Sequence, residues 1–281
     1  EKFGFNKMNL KTFFLDKIKS YFLVIIIGCL LITILLISII YFSNNFWIYF
    51  WIFMSLFTVF INLFFTSLIL PIFNKLKPLE DGSLKDKIYN YAKSVKFPLS
   101  NIFVIDGSKR SSKANAFFSG LGKSKKIVLY DTLIKNYSDE ELVSVLAHEV
   151  GHYKKKHIVS NLILSILFTG FMLFVLSKFL FNSEISFALG GDVSFRHFEL
   201  FAFSILYSPI SFILGIFMNI KSRINEYEAD NYAVKTFDKT HLISALKNLS
   251  KDNLVNLTPN PVYVFVNYSH PTLHQRIKAM T

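Results

Sequence analysis

Two histidines four residues apart on a helix can hold one metal ion between them, and the chain carries such a pair in His148-Glu149-Val150-Gly151-His152. Positions i and i+4 lie one above the other on a single helical face, so both imidazoles can reach the same ion. Glu149 sits about 100° round the helix from His148, close enough to hold a water beside the metal without binding it. Zinc lowers the pKa of such a water towards about 7, and Glu149 is placed to take its proton during attack on a carbonyl. A catalytic zinc keeps three protein ligands and one open position, so a third ligand must come from elsewhere.

The segment Asn225-Glu226-Tyr227-Glu228-Ala229-Asp230 can supply it. Glu226 and Asp230 share one helical face, so one can bind zinc while the other orients a ligand histidine. Glu228 points away from that face and is expected to be a solvated carboxylate or a partner of Lys221 or Arg223. His157 follows three lysines and reads as an interfacial residue, while His197 and His241 read as surface residues. His270 precedes Pro271, which forces an extended backbone there. It could donate to the oxyanion of a tetrahedral intermediate, a role these residues alone leave open.

The elements that must position these groups are partly legible. Ser138-Asp139-Glu140-Glu141 has the pattern of a capping box, predicting a helix that starts at Asp139 and carries the two histidines. Its acidic first turn suits the positive end of the helix dipole. Upstream, 82–96 reads as a short helix stopped by Pro98, and 102–105 as a short buried strand. Segments 116–119 and 127–130 read as strands of a hairpin joined by the turn-rich stretch 120–126.

Four stretches are long and apolar enough to span a membrane: Phe22–Phe42, Phe46–Leu70, Ile158–Phe181 and Phe198–Ile220. Lipid leaves backbone groups no outside partner, so these should be helices. The expected organisation is 1–73 with two spans, 74–157 with the hairpin and histidine helix, 158–220 with two more spans, and 221–281 with the third ligand, all one functional unit. Composition agrees. Only 18% of the 281 residues are charged, below the roughly one quarter of a soluble domain, yet the net charge is +12. The lysines gather before the first span, in 71–157 and after 221, which two pairs of spans place on one side, the cytoplasmic one by the positive-inside rule. One cysteine, Cys29, excludes a disulfide framework or a multi-thiolate site. Lysine clusters such as 123–126 suit anionic headgroups or solvent, so membrane lipids are expected as partners and nucleic acid is not. The four Asn-x-Ser/Thr patterns, at Asn136, Asn248, Asn256 and Asn267, read as coincidence on that side.

The sequence resembles the integral-membrane zinc metalloproteases called type I CAAX prenyl endopeptidases. The resemblance runs almost end to end, through EKFGFNK (1–7), GSKRSS (107–112), Asn115-Ala116-Phe117, IVLYDTL (127–133), HEVGH, RINEYEADNYA (223–233), KDNL (251–254) and SHPTLHQRI (269–277). It implies a mostly α fold, a polytopic transmembrane helix bundle around an inward-facing zincin-like site with a small β-hairpin or sheet. Family members have seven spans, so the chain is expected to be truncated at its N-terminus. The implied activity is removal of the last three residues of prenylated CAAX peptides, by a monomer holding one Zn2+. Carried over by position, His148, His152 and Glu226 bind zinc, Glu149 is the general base, and Asp230 backs a ligand. His270 stabilises the oxyanion, Arg276 supports the site, and Asn115-Ala116 forms the edge strand on which substrate pairs.

Lys113, Thr272 and Gln275 depart from the expected pattern, where histidine, a second proline and an acidic residue stand in relatives; this bears on substrate preference rather than catalysis. An HtpX-like protease for membrane-protein quality control shares HExxH and a downstream Glu, but lacks the combination of blocks above. A non-catalytic scaffold or transporter has no need of the base at Glu149. The chain is expected to be a multi-pass protein of a bacterial inner membrane or of the endoplasmic reticulum.

Overall fold

The computed structural model describes residues 3–119 and 125–281. Helices Leu10–Phe42 (α1) and Phe46–Phe64 (α2) are followed by a π-helical turn and the short Leu70–Phe73 (α3). Then come Leu76–Pro78 (β1), Ser83–Ser94 (α4), Leu99–Ile105 (β2), Ala116–Ser119 (β3), Lys125–Tyr130 (β4), Asp131–Asn136 (α5) and Asp139–Lys154 (α6). The remainder is helical: His157–Phe179 (α7), Ser183–Ala188 (α8), Arg196–Leu206 (α9), Ser208–Thr236 (α10), Lys239–Asp252 (α11), Pro261–Asn267 (α12) and Leu273–Met280 (α13).

Among the described residues, the helical stretch Leu10–Phe73 and α7 are long and apolar enough to cross a membrane, and α9 with α10 make a third if that bent pair is one span. The four expected spans are redrawn accordingly. The first two belong to one 64-residue stretch, far longer than a bilayer needs. It is divided at the 3-10 turn Ser43–Asn45, where Ser43 takes φ 45°. The fourth is not straight: α9 and α10 meet at 43°, because Pro209 has no N–H to continue the helical ladder.

The chain forms two compact units. One comprises residues up to Lys17, Asn62–Ile158 and Met218–Thr281; the other comprises Ile18–Ile61 and Val159–Phe217. In the second, Phe46, Phe50, Leu173 and Leu176 form the core, and Trp51 donates to the Ile166 carbonyl at 2.8 Å. A Cβ on Gly170 would meet the Trp51 ring at 2.8 Å, so glycine is what admits that indole.

The first unit holds the sheet, ordered β1-β2-β4-β3. The expected hairpin strands do pair antiparallel, Ala116 opposite Leu129 and Phe118 opposite Ile127. Most of the stretch expected to join them, 120–124, lies outside the described residues; Lys125 and Lys126 belong to β4. β2 runs parallel to β4. Ile127, Val128 and Leu129 are all buried, as a strand covered on both faces requires. Strand β1 was not legible in the sequence; three residues ending in proline carry no alternation. Beside the sheet, Ile88 of α4, Val143, Leu146 and Val150 of α6, and Leu242 of α11 share one core.

Candidate metal centre

Helix α6 starts as its sequence predicts. Ser138 Oγ accepts from the Glu141 N–H at 3.3 Å, and Glu141 Oε2 accepts from the Ser138 N–H at 3.1 Å. The other carboxylate oxygen of Glu141 accepts from Ser244 Oγ at 2.6 Å and from Asn248 Nδ2 at 2.8 Å. The cap thus ties α6 to α11, and the Asn248 amide is occupied in that tie. Further along, a Cβ on Gly151 would lie 2.9 Å from Ala229 Cα and 3.0 Å from its carbonyl oxygen. Only glycine allows α6 and α10 to approach so closely, and that approach brings Glu226 to the histidines.

His148 Nε2 and His152 Nε2 are 3.2 Å apart. Glu226 places Oε2 3.4 Å from His148 Nε2 and Oε1 3.3 Å from His152 Nε2. Ligand atoms about 2.0–2.2 Å from a tetrahedral ion stand roughly 3.3 Å from one another, so the three groups fit a zinc-sized ion. Two imidazoles and a carboxylate are also the donor set of catalytic zinc. His148 and Glu226 are buried, and His152 partly so.

His148 is held from behind. Asp230 Oδ1 lies 2.8 Å from His148 Nδ1, and Arg276 donates to both oxygens of Asp230. Burial alone lowers the pKa of His148, but its hydrogen bonds to Asp230 and Glu226 outweigh burial and hold it at about 9. A divalent cation held among these carboxylates would take the place of that proton. Arg223, a possible partner of Glu228 by sequence, donates to the Val264 and Tyr268 carbonyls.

A cavity of about 580 Å³ opens on the centre, lined by Asn115, Ala116, His148, Glu149, Glu226 and His270 among others. Burial raises the Glu149 carboxyl above its usual range, against the lowering pull of His148 and His152. His270 is exposed, with Nδ1 3.0 Å from Ser269 Oγ and Nε2 3.4 Å from Glu226 Oε1. Asn115 and Ala116 stand at the start of the edge strand β3, opposite the histidine helix. His148, His152, Glu226, Asp230 and Arg276 meet at the centre, and Glu149, His270, Asn115 and Ala116 face the cavity beside it.

Two features escaped the sequence reading. Thr272 and Gln275, departures from the family pattern, form a capping box: Thr272 Oγ1 accepts from the Gln275 N–H at 3.3 Å and Gln275 Oε1 from the Thr272 N–H at 2.9 Å. They start α13, the helix that carries Arg276, and the T-x-x-Q spacing was the available signal. The second is His157. It pairs with Glu228 at 2.9 Å, a hydrogen-bond partner the sequence does not suggest, while the carboxylate keeps its exposure and feels the charge of Lys221 as expected. Lys113, the third departure, places its ammonium 4.8 Å from the Phe5 ring centre.

Membrane-length helices joined to a His-Glu-His centre define the class of membrane proteins with a zincin-type metal site. The sequence profile of peptidase family M48 matches residues 78–281, and that of the CAAX prenyl protease N-terminal region, described as five membrane helices, matches 1–75. The chain belongs to peptidase family M48. It is 38% identical to CAAX prenyl protease 1 of Saccharomyces cerevisiae over its whole length, covering 65% of that protein. It is 37% identical to the Arabidopsis thaliana homologue over 99% of its length and 66% of that protein's, and 33% identical to the human homologue, of which it covers 67%. The chain thus spans about two thirds of the length of these relatives. The crystal structure of S. mikatae Ste24p superposes with a TM-score of 0.93 at 38% identity, over 99% of this chain and 68% of that one. The mostly helical fold with a small mixed sheet, in an integral membrane protein, is therefore that of this family.

Proposed function

We propose that the chain is a membrane-embedded zinc metalloendopeptidase that cuts a peptide bond near the C-terminus of prenylated, CAAX-type substrates. The observation that carries this reading is the set of three ligand residues spaced for a zinc-sized ion, with Glu149 opening on the same cavity. The printed names of the relatives supply the substrate class.

His148, His152 and Glu226 hold one Zn2+ per chain. When bound, the zinc polarises the scissile carbonyl and brings a water's pKa towards about 7. Glu149 accepts the proton of the attacking water on its carboxylate and passes it to the leaving amine. His270, at the rim, turns Nε2 towards the developing oxyanion. Asp230, braced by Arg276, keeps the proton of His148 on Nδ1 so that Nε2 faces the ion. Asn115 and Ala116 receive the substrate backbone along β3, whose outer edge pairs with no other described strand. Leu246, Leu249 and Val255 line the same cavity and suit the aliphatic residues of such a C-terminus. The four consecutive segments, 1–73, 74–157, 158–220 and 221–281, serve this one reaction in a monomer. The distribution of lysines supports a cytoplasmic position for the site.

A cleavage assay with farnesylated and unmodified peptides, mapping the cut, tests the reading. Release of the three C-terminal residues from the farnesylated peptide alone is expected. Equal cutting of unmodified, unfolded chains would instead favour membrane-protein quality control.

A further inference from the structure

His157, which the sequence assigns to the interface, and Glu228, which it assigns to solvent or a nearby cation, stand directly behind His152. Helix α6 ends at Lys154, and Lys156 takes φ 59° in the turn before α7. A non-glycine residue in the left-handed region is sterically disfavoured, and such conformations persist where the surroundings over-determine them. Here the turn brings the buried His157 ring back onto the helix just left. His157 Nδ1 lies 3.0 Å from His152 Nδ1, and His157 Nε2 lies 2.9 Å from Glu228 Oε2. Neither residue lines the cavity.

The chemistry of the three groups assigns the protons. A carboxylate only accepts, so the hydrogen facing Glu228 sits on His157 Nε2. A neutral imidazole carries one N–H, which leaves His157 Nδ1 as an acceptor. That atom can accept only if His152 carries its own proton on Nδ1. His152 Nε2 is then a lone pair, and it is the atom 3.2 Å from His148 Nε2 and 3.3 Å from Glu226 Oε1.

We propose that His157 and Glu228 are positioning residues that fix the ring orientation and tautomer of His152, as Asp230 and Arg276 do for His148. The inference rests on the zinc reading above. Each ligand histidine then ends on a carboxylate, one directly and one through a second imidazole. Partners of this kind typically contribute 10–100-fold in metal affinity.

The test is zinc affinity, measured by competition with a chromophoric chelator on the purified full chain in detergent. His157→Phe removes the acceptor and should weaken zinc binding about 10–100-fold. His157→Asn keeps an oxygen where Nδ1 stood and should recover most of the loss. Glu228→Ala frees the His157 tautomer and should give a smaller loss in the same direction. With Co2+ in place of zinc, the visible absorption of His157→Phe should differ from that of wild type while that of His157→Asn returns towards it, which a purely structural role would not produce. Should His157→Phe fail to fold, Glu228→Ala, at a partly exposed carboxylate, and His157→Asn carry the test. Wild-type zinc affinity in both His157→Phe and Glu228→Ala overturns the proposal, as does an Asn variant no better than Phe. Glu226→Ala separates the two levels. If it keeps zinc, the metal-centre reading itself fails; if it loses zinc while the His157 and Glu228 variants do not, only the positioning role is lost.

Discussion

Arg276 grips Asp230 through two parallel hydrogen bonds, Nε to Oδ2 at 2.8 Å and Nη2 to Oδ1 at 2.6 Å, and the same Oδ1 faces His148 Nδ1. The fork fixes the plane of the carboxylate, and the carboxylate fixes the ring. A lysine keeps the charge but loses the fork. Arg276→Lys should therefore lower zinc affinity about tenfold, measured by chelator competition; unchanged affinity would show that charge alone suffices.

Glu149 touches the cavity but is not among the three grouped ligand residues. Glu149→Gln is nearly isosteric and removes only the proton acceptor. Peptide cleavage should fall by at least about 10²-fold, while zinc content stays at one ion per chain. Residual turnover near wild type would remove Glu149 from the mechanism.

His270 is exposed at the rim of the cavity, as suits a donor recruited when substrate arrives. His270→Ala should lower kcat by about 10²–10³-fold, the usual effect of losing one oxyanion donor, with zinc content unchanged. Parallel loss of zinc and turnover would make it a ligand instead.

Gly151 is pressed against the backbone of Ala229, which cannot swing aside as a side chain can. Gly151→Ala should destabilise the fold by about 1–3 kcal/mol through overpacking. It should also reduce zinc affinity, because Glu226 and Asp230 ride on the displaced helix. Thermal melting with and without zinc reads both effects, and a variant that melts like wild type would show that α10 can shift freely.

Thr272→Ala removes the side-chain half of the cap on α13 and should cost about 1 kcal/mol. The loss of zinc affinity should resemble that of Arg276→Lys but be weaker. An unaffected zinc affinity would show that Arg276 is held by Asp230 alone.

Much of this was legible beforehand, for identifiable reasons. The His148/His152 pair, the Ser138 cap and the spacing of Glu226 and Asp230 are local patterns, set by 3.6 residues per turn. Strands β3 and β4 announced themselves by β-branched and aromatic runs. What stayed hidden depends on tertiary approach or on breaks in regular structure. His157 reaches His152 only through a left-handed turn at Lys156, which lysine gives no reason to expect. His157, the hydrogen-bond partner of Glu228, is distant in sequence, so charge matching reaches only the nearby cations. Strand β1 exists because β2 offers it an edge, not because Leu76–Pro78 favours extension. The span 198–220 has the composition of one helix and the geometry of two, because hydropathy does not register a proline's missing N–H.

The Gly151–Ala229 contact sets the two halves of the centre side by side although α7, α8 and α9 intervene in the chain. An ion shared by His152 and Glu226 is thus a cross-link that closes a long loop. Loop-closure entropy grows only logarithmically, about 0.6 kcal/mol for each doubling of length. The length of the connecting segment thus matters little to the clasp itself and is set instead by the helices it must contain, provided both ends still meet at that glycine.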